Sequence, residues 1–152
     1  MILQFDCRHA QGHAPALLAD ARHRAAHKRR QQYEVRFATQ AGSVATLEGP
    51  VPVAAGDALV TGSAGEQWPV ARARFGAKYR PLPPLPFGHD GRYESLPLPV
   101  LVLQPGQPFE VELADGRARL HGQAGDWLVD YGDGSLGVVA AALFDAMYEF
   151  DT

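Results

Sequence analysis

Alternating apolar and polar residues predict a strand on each side of a helical segment near the start of the chain. Ile2 to Cys7 and Tyr33 to Phe37 alternate as half-buried strands do. Between them, Pro15 suits a first helical position, and Ala16 to Arg30 is rich in Ala, Leu and Arg, which favour helix. The pattern therefore predicts an N-terminal helix. Its narrow apolar stripe consists of Leu17, Leu18, Ala21 and Ala25.

The clearest pattern is an internal repeat with an offset of sixty-nine positions. Residues 55–81 and 124–150 share twelve identities in twenty-seven positions without a gap. Both copies predict a strand after Gly-Asp, a turn glycine, a returning strand and a short helix. That helix carries Phe and Tyr four residues apart, on one face. A repeat is the first guide to architecture, so the sequence predicts a duplicated small module.

Together these elements predict an α+β, strand-dominated protein. It has two small similar β modules, each with a short helix, related by pseudo-twofold symmetry, plus one N-terminal helix. Four prolines in residues 81–86 exclude helix and central strand, which makes this stretch an extended connector. The predicted division is an N-terminal strand and basic helix over 1–32, a first module over 33–80, a Pro-rich linker over 81–91 and a second module over 92–152.

Composition indicates a folded protein outside the membrane. Hydrophobic residues make up 46% and charged residues 20% of the chain, which argues against disorder. No apolar run approaches the roughly 18 residues that a membrane helix needs. Cys7 is the single cysteine, so no internal disulfide framework is possible. We expect a cytoplasmic protein, and the excess of Arg over Lys is typical of a GC-rich bacterial genome.

Charge is unevenly distributed along the chain. Residues 1–80 carry eleven Lys+Arg and six Asp+Glu, whereas residues 81–152 carry three and eleven. One interpretation is two solvated surfaces that happen to differ. The other is that lobes or subunits attract each other head to tail, or that one face binds a polyanion.

Several motifs resemble a known bacterial family. Thr46-Leu47-Glu48-Gly49, the Gly-Asp turns and the Phe and Tyr of the short helices resemble small bacterial and phage-encoded proteins. The second copy, with Gly125-Asp126-Trp127-Leu128-Val129 and Tyr148-Glu149, resembles the family called PGDYG. The resemblance covers residues 33–151 and implies a fold of turns, strands and an aromatic-faced helix, with no catalytic residues.

The chain departs from the family pattern at two places. Ala55 and Ala124 replace the proline that precedes Gly-Asp. The motif that names the family falls on residues 133–137, where Gly134 and Gly137 match but Ser135 replaces Asp and Leu136 replaces Tyr.

The repeated Gly-Asp pairs have two interpretations. An Asp after a turn glycine commonly accepts backbone N–H bonds, or it holds a carboxylate ready for a ligand or metal. The tryptophans near these turns either fill the core or line a groove between the copies, where a small ligand would bind. The predicted ligand-binding residues are Asp57, Trp68, Asp126 and Trp127.

The N-terminal histidines suggest a metal site that other residues disfavour. His23 and His27 are four apart on the predicted helix, and Cys7, His9 or His13 would supply a further zinc ligand. However, Arg24 stands where a metalloprotease has its glutamate, and Lys28 adds a further cation. We therefore predict no metal and no cofactor.

The predicted basic helix is the candidate polyanion-binding surface. Arg22, Arg29 and Arg30 are the residues expected to contact phosphate groups, unless they simply form a solvated face.

The helix of the second copy is apolar on most sides. Leu143 stands where the first copy has Arg74, so this helix is predicted to pack on another element or to form a homodimer around Leu143.

We interpret the chain as a non-enzymatic binding or interaction module. The alternatives are a nucleotide- or phosphate-processing enzyme, with Asp57 or Asp126 holding a metal, and a nucleic-acid-associated protein.

Overall fold

The structure is a computed structural model that describes residues 2–6, 12–113 and 119–151. These ranges contain fifteen strands and three short helices. In chain order the elements are β1 (Leu3–Asp6), α1 (Pro15–Leu18), β2 (Arg24–Lys28), β3 (Gln32–Phe37), β4 (Gly42–Thr46), β5 (Gly49–Val53), β6 (Ala58–Thr61), β7 (Gln67–Val70), α2 (Arg72–Lys78), β8 (Tyr79–Pro81), β9 (Gly91–Ser95), β10 (Pro99–Leu103), β11 (Phe109–Glu112), β12 (Arg119–Gly122), β13 (Trp127–Asp130), β14 (Leu136–Val139), α3 (Ala141–Met147) and β15 (Tyr148–Phe150).

The chain forms two compact units. The middle unit is Arg29–Leu98, and the terminal unit combines Met1–Lys28 with Pro99–Thr152. The sequence-based division instead follows the repeat, with boundaries near residue 33 and across residues 81–91. The difference arises because β2 pairs with strands that follow it by more than seventy residues.

The middle unit is a five-stranded antiparallel sheet with a helix on one side. Its strand order is β7-β6-β3-β9-β8, and the hairpin β4–β5 lies beside β7. Alternation along β3 buries Tyr33 and Val35, and these pack with Phe75 of α2 and with Tyr79. We call this covered side the inner face and the other side the outer face.

The terminal unit has a sheet of the same size whose two faces are both partly covered. Its order is β14-β13-β10-β2-β15, and Phe144 of α3 and Tyr148 pack on its inner face. The sheet β1-β11-β12 contacts β14, and Leu128 and Val138, on the outer face, are buried. This unit therefore has a second apolar layer, to which α1 contributes the fully buried Leu17.

The two five-stranded sheets match in strand order and register. The elements β6, β7, α2 and β8 correspond to β13, β14, α3 and β15, each sixty-nine residues later. In the middle unit, Glu94 of β9 faces Gln32 and Arg80. In the terminal unit, His27 of β2 faces Pro99 and Glu149. Hence β2 occupies the place in its sheet that β9 occupies in the other.

The predicted fold class is wrong, because the protein is mostly β. The longest helices among the described residues have seven residues. Nor are there two similar symmetric modules. The terminal unit is assembled from both ends of the chain and carries β1-β11-β12, whereas the middle unit has only the two-stranded β4–β5.

The predicted N-terminal helix is also wrong. Only Pro15–Leu18 is helical, and Arg24–Lys28 forms β2. Helix propensity is a weak, local preference. Here β2 is inserted between β10 and β15, both of which satisfy its backbone groups, and Ala26 is fully buried. Tertiary pairing therefore decides the structure of this segment.

The helices in the described ranges do not have the features of membrane-spanning helices. None of their helices has the length and apolar character that spanning a bilayer requires.

Leu17 and Leu18 provide a test of how α1 packs. Leu17 is fully buried and Leu18 is 49% exposed. Leu17→Ala should lower the free energy of unfolding by about 2–5 kcal/mol because it leaves a cavity, whereas Leu18→Ala should stay within about 0.5 kcal/mol. Urea unfolding of both variants measures the difference. Equal losses would contradict the placement of α1.

Candidate functional site

The Asp of each Gly-Asp turn is engaged by backbone N–H groups. Asp57 accepts the N–H of Ala54 at 2.9 Å and that of Arg72 at 3.2 Å. Its carboxylate therefore joins the turn before β6 to the first residue of α2. Gly56 precedes it with φ of 90°, a conformation that glycine adopts at little cost.

The second copy repeats this arrangement. Asp126 accepts the N–H of Gln123 at 3.0 Å and that of Ala141, the first residue of α3, at 3.1 Å. The residues at the helix starts, Ala71 and Ala140, make no side-chain cap. The two aspartates thus cap the helices from a distance, and the geometry gives them a structural role.

The two tryptophans pack against the aromatic residues of the two inner faces. The Trp68 ring meets Tyr33 edge-on at 5.6 Å, and its indole hydrogen-bonds the hydroxyl of Tyr79. The Trp127 ring stacks on Phe144 at 4.2 Å. Both tryptophans are half-buried. They lie in different units, so the structure brings Asp57 and Trp68 into one unit and Asp126 and Trp127 into the other.

The helix α3 turns its larger apolar residues toward its own unit. Leu143 and Met147 pack against the inner core. The residues that α3 exposes are Ala141, Ala142, Asp145 and Ala146. A homodimer through Leu143 stays a prediction.

The three arginines predicted to bind a polyanion do not share a helix face. Arg22, in the terminal unit, donates to both carboxylate oxygens of Asp20 and to the carbonyl of Pro105. Its hydrogen bonds to Asp20 lower the pKa of that carboxyl to about 2. Arg29 and Arg30 lie in the middle unit, where Arg30 donates to Glu94 at 3.1 Å.

The N-terminal histidines are likewise dispersed. His23 contacts the carbonyl of Asp20, and His27 lies between Glu149 and Asp151. Cys7 and His9 lie outside the described residues. In the part of the chain that the structure describes, no group of three or more His, Cys, Asp and Glu side chains is arranged so that it could hold a metal ion.

His13 contacts a fully buried carboxylate that the sequence patterns do not single out. Asp130 accepts the N–H of Ala14 at 2.6 Å and that of Gly132 at 2.9 Å, and its Oδ1 lies 3.0 Å from His13 Nδ1. A buried charge needs such partners. These contacts fix the segment before α1 to β13, so Asp130 holds the outer layer in place.

The outer side of β3, β8 and β9 forms a cationic surface of the middle unit. Alternation brings Arg36, Arg80 and Arg92 to this side, and Arg30 reaches it from the residues before β3. We call these four residues the arginine face. Side-chain exposure is 50% for Arg30, 57% for Arg80 and 67% for Arg92. Sequence reasoning found Arg30 but missed Arg80 and Arg92, although Arg92-Tyr93-Glu94 alternates as a strand does.

Two glutamates lie among these arginines. Glu94 accepts hydrogen bonds from Arg80 and Arg30, and Glu34 accepts one from Arg92 at 2.9 Å. Arg80, with the larger effect, and Arg30 hold the pKa of Glu94 below its usual value. Arg36 is exposed and makes no ion pair among the described residues. The surface therefore retains a positive excess after its internal ion pairs are counted.

A protein-family model described as PGDYG protein matches residues 49–149. The chain belongs to the PGDYG family. This confirms the part of the resemblance that names the PGDYG family. No curated protein and no solved structure matches the chain. The PGDYG match runs from β5 into β15. It includes both Gly-Asp turns and two residues of the arginine face, Arg80 and Arg92, whereas Arg30 and Arg36 precede it.

The structural role of the Gly-Asp turn can be tested in the second copy. Asp126→Ala removes the acceptor for Gln123 and Ala141, so it should lower the free energy of unfolding by about 1–2 kcal/mol. Asp145→Ala, an exposed carboxylate on α3, is the control and should change it by less than about 0.5 kcal/mol. Urea unfolding measures both. A neutral Asp126→Ala would exclude the capping role.

The buried hydroxyl of Tyr79 predicts a loss of stability in alkali. Burial raises the pKa of Tyr79 to about 12 from its ordinary value of 10. The hydroxyl stays neutral to a higher pH in the folded state than in the unfolded state. Its contribution to the free energy of unfolding is therefore complete below pH 10 and falls by up to about 3 kcal/mol between pH 10 and 12. Tyr79→Phe should flatten this part of the pH profile of unfolding free energy. An unchanged slope would contradict the prediction.

Proposed function

We propose that the protein is a non-enzymatic binding module and that its arginine face holds an anionic surface of a partner. The observation that carries this proposal is the excess of four arginines over two glutamates on one open sheet face. Guanidinium groups offer planar forks of N–H donors that match carboxylates and phosphates. The face therefore suits an acidic ligand.

The distribution of net charge supports this proposal. Arg29–Leu98 contains eight Lys+Arg and six Asp+Glu, a net of +2. The rest of the chain contains six Lys+Arg and eleven Asp+Glu, a net charge of −5. The two net charges sum to the −3 of the whole chain. A positive unit within a negative chain keeps a local attraction for anions, because exposed charges act mainly within a Debye length of about 8–10 Å.

The covering of the two sheets gives a reason why this face is open. In the terminal unit, the outer face is partly covered by β1-β11-β12 and its residues there are apolar. In the middle unit, β3 exposes Gln32, Glu34 and Arg36 on the corresponding side. Polar residues on a sheet face need no cover from the protein itself, and they leave the face free for a partner.

The two alternative functions receive less support. For a phosphate-processing enzyme, Asp57 or Asp126 would hold a metal, yet each carboxylate already accepts two backbone N–H groups. For a nucleic-acid-binding protein, stacking on bases would be favourable, yet Tyr33 lies on the inner face and no aromatic residue lies on the outer sides of β3, β8 and β9. A small ligand at Asp57, Trp68, Asp126 and Trp127 stays a prediction.

We also propose that the two matching segments arose by tandem duplication. Supporting this is the constant offset of sixty-nine residues between corresponding strands and helices. The shared register of the two sheets and the identical use of Asp57 and Asp126 add to it.

Retention on immobilised heparin, used as a polyanionic probe, tests the arginine face. Arg36→Gln and Arg80→Gln should each elute at lower salt than the wild type, because each removes one cationic contact. Arg72→Gln is the matched control, since it removes an exposed arginine from α2, which lies over the inner face. If all three variants elute with the wild type, the face does not bind anions.

A further inference from the structure

On the outer side of the terminal sheet, the edge formed by β2 and β15 carries exposed charged residues, and their charges differ from those at the matching positions of β9 and β8. On β8, Arg80 corresponds to Glu149 on β15, because each is the second residue of its strand and follows the matching tyrosine. On the neighbouring strand, Glu94 corresponds to His27 by register. The position that holds the cation Arg80 in one sheet therefore holds the anion Glu149 in the other.

The side chains that surround these positions are also arranged in opposite ways in the two units. In the middle unit, the carboxylate of Glu94 lies between the guanidinium groups of Arg30 and Arg80. In the terminal unit, the imidazole of His27 lies between two carboxylates, with Nδ1 2.8 Å from Asp151 and Nε2 3.5 Å from Glu149. We call the second cluster, Glu149 and Asp151 with His27, the acidic edge.

Both clusters are accessible to a partner. The side chains of Glu149 and Asp151 are 54% and 43% exposed, and those of Arg80 and Arg30 are 57% and 50% exposed. Two carboxylates beside one imidazole leave the acidic edge with a net negative charge, and two guanidinium groups beside Glu94 leave the arginine cluster with a net positive charge. Each cluster thus presents the charge that the other would attract.

We propose that the anionic partner of the arginine face is the acidic edge of a second copy of this chain. This inference rests on the proposed function of the arginine face. The contact joins two different patches, so two copies can pair both patches at once in a closed two-fold dimer, or pair them in turn around a ring or along a chain. In each case the average mass rises as protein concentration rises. Because exposed ion pairs are individually weak and are screened by salt, the assemblies dissociate at high ionic strength.

Sedimentation velocity over a concentration series, at low salt and in 0.5 M NaCl, measures this association. The wild type should show a rising weight-average mass at low salt only. Arg80→Glu and Glu149→Arg should each weaken association by about tenfold or more, because each places like charges at the contact. The double variant Arg80→Glu/Glu149→Arg should restore association to within about threefold of the wild type, since the charges are exchanged and again opposite.

Arg72→Glu is the charge-matched control for Arg80→Glu, since it makes the same change on α2. It should leave association unchanged, and thermal unfolding of every variant shows whether the fold is retained. A double variant that fails to recover while remaining folded overturns the inference. Association that resists Arg80→Glu but is lost in Leu143→Glu also overturns it, because the interface then lies on α3.

Heparin retention separates failure of this inference from failure of the proposed function. If the wild type is monomeric at low salt while Arg80→Gln still lowers heparin retention, the face binds anions but its partner is not a second copy. Arg80-dependent binding of a single-stranded DNA oligonucleotide by a monomer would likewise replace the second copy with a nucleic acid. If neither retention nor association depends on Arg80, both proposals are wrong.

Discussion

The position of each helix on its sheet depends on one carboxylate that bridges a turn and a helix start. Asp57 binds the turn before β6 and the first N–H of α2, and Asp126 does the same for α3. A helix of seven residues gains little stability by itself, so its placement must come from such contacts and from packing. Once it is placed, Phe75 or Phe144 lies on the inner face, and the tyrosine four residues later stacks on it. The inner core of each unit is built on this arrangement.

The outer face of each sheet lies opposite the helix, and the two units differ in what covers it. The terminal unit has β1-β11-β12 and α1 on that side, and the buried Asp130 secures the backbone at Ala14. An isolated buried carboxylate would be costly, but its hydrogen bonds to Ala14 and Gly132 and its contact with His13 offset that cost. The middle unit lacks α1 and instead carries charged residues on β3, β8 and β9.

The sequence predicted the parts of the fold that depend on near neighbours. Within residues 55–81 and 124–150, the strands, turn glycines and short helices follow the repeat pattern, since their contacts are local. The segment Arg24–Lys28 was predicted as helix because its residues favour helix, whereas its partners β10 and β15 lie far along the chain. The arginine face was missed for a similar reason. Arg80 and Arg92 become neighbours of Arg30 only when β8, β9 and β3 pair. The alternation of residues within a single strand does not predict which strands pair.

Opposite charges at equivalent positions reflect what the two surfaces contact more than what the fold requires. Arg80 and Glu149 occupy the same place in matching sheets, and so do Glu94 and His27. Both units form the same strand pairs there, so the backbone accepts either sign of charge, as exposed strand positions generally do. In each unit the two side chains at these positions lie beside each other, and the place of Arg80 in one unit is taken by Glu149 in the other. If the fold alone required these side chains, it would require only that the two neighbours within one unit attract each other. Which unit carries the arginine and which carries the carboxylate therefore depends on what each surface contacts outside its own unit.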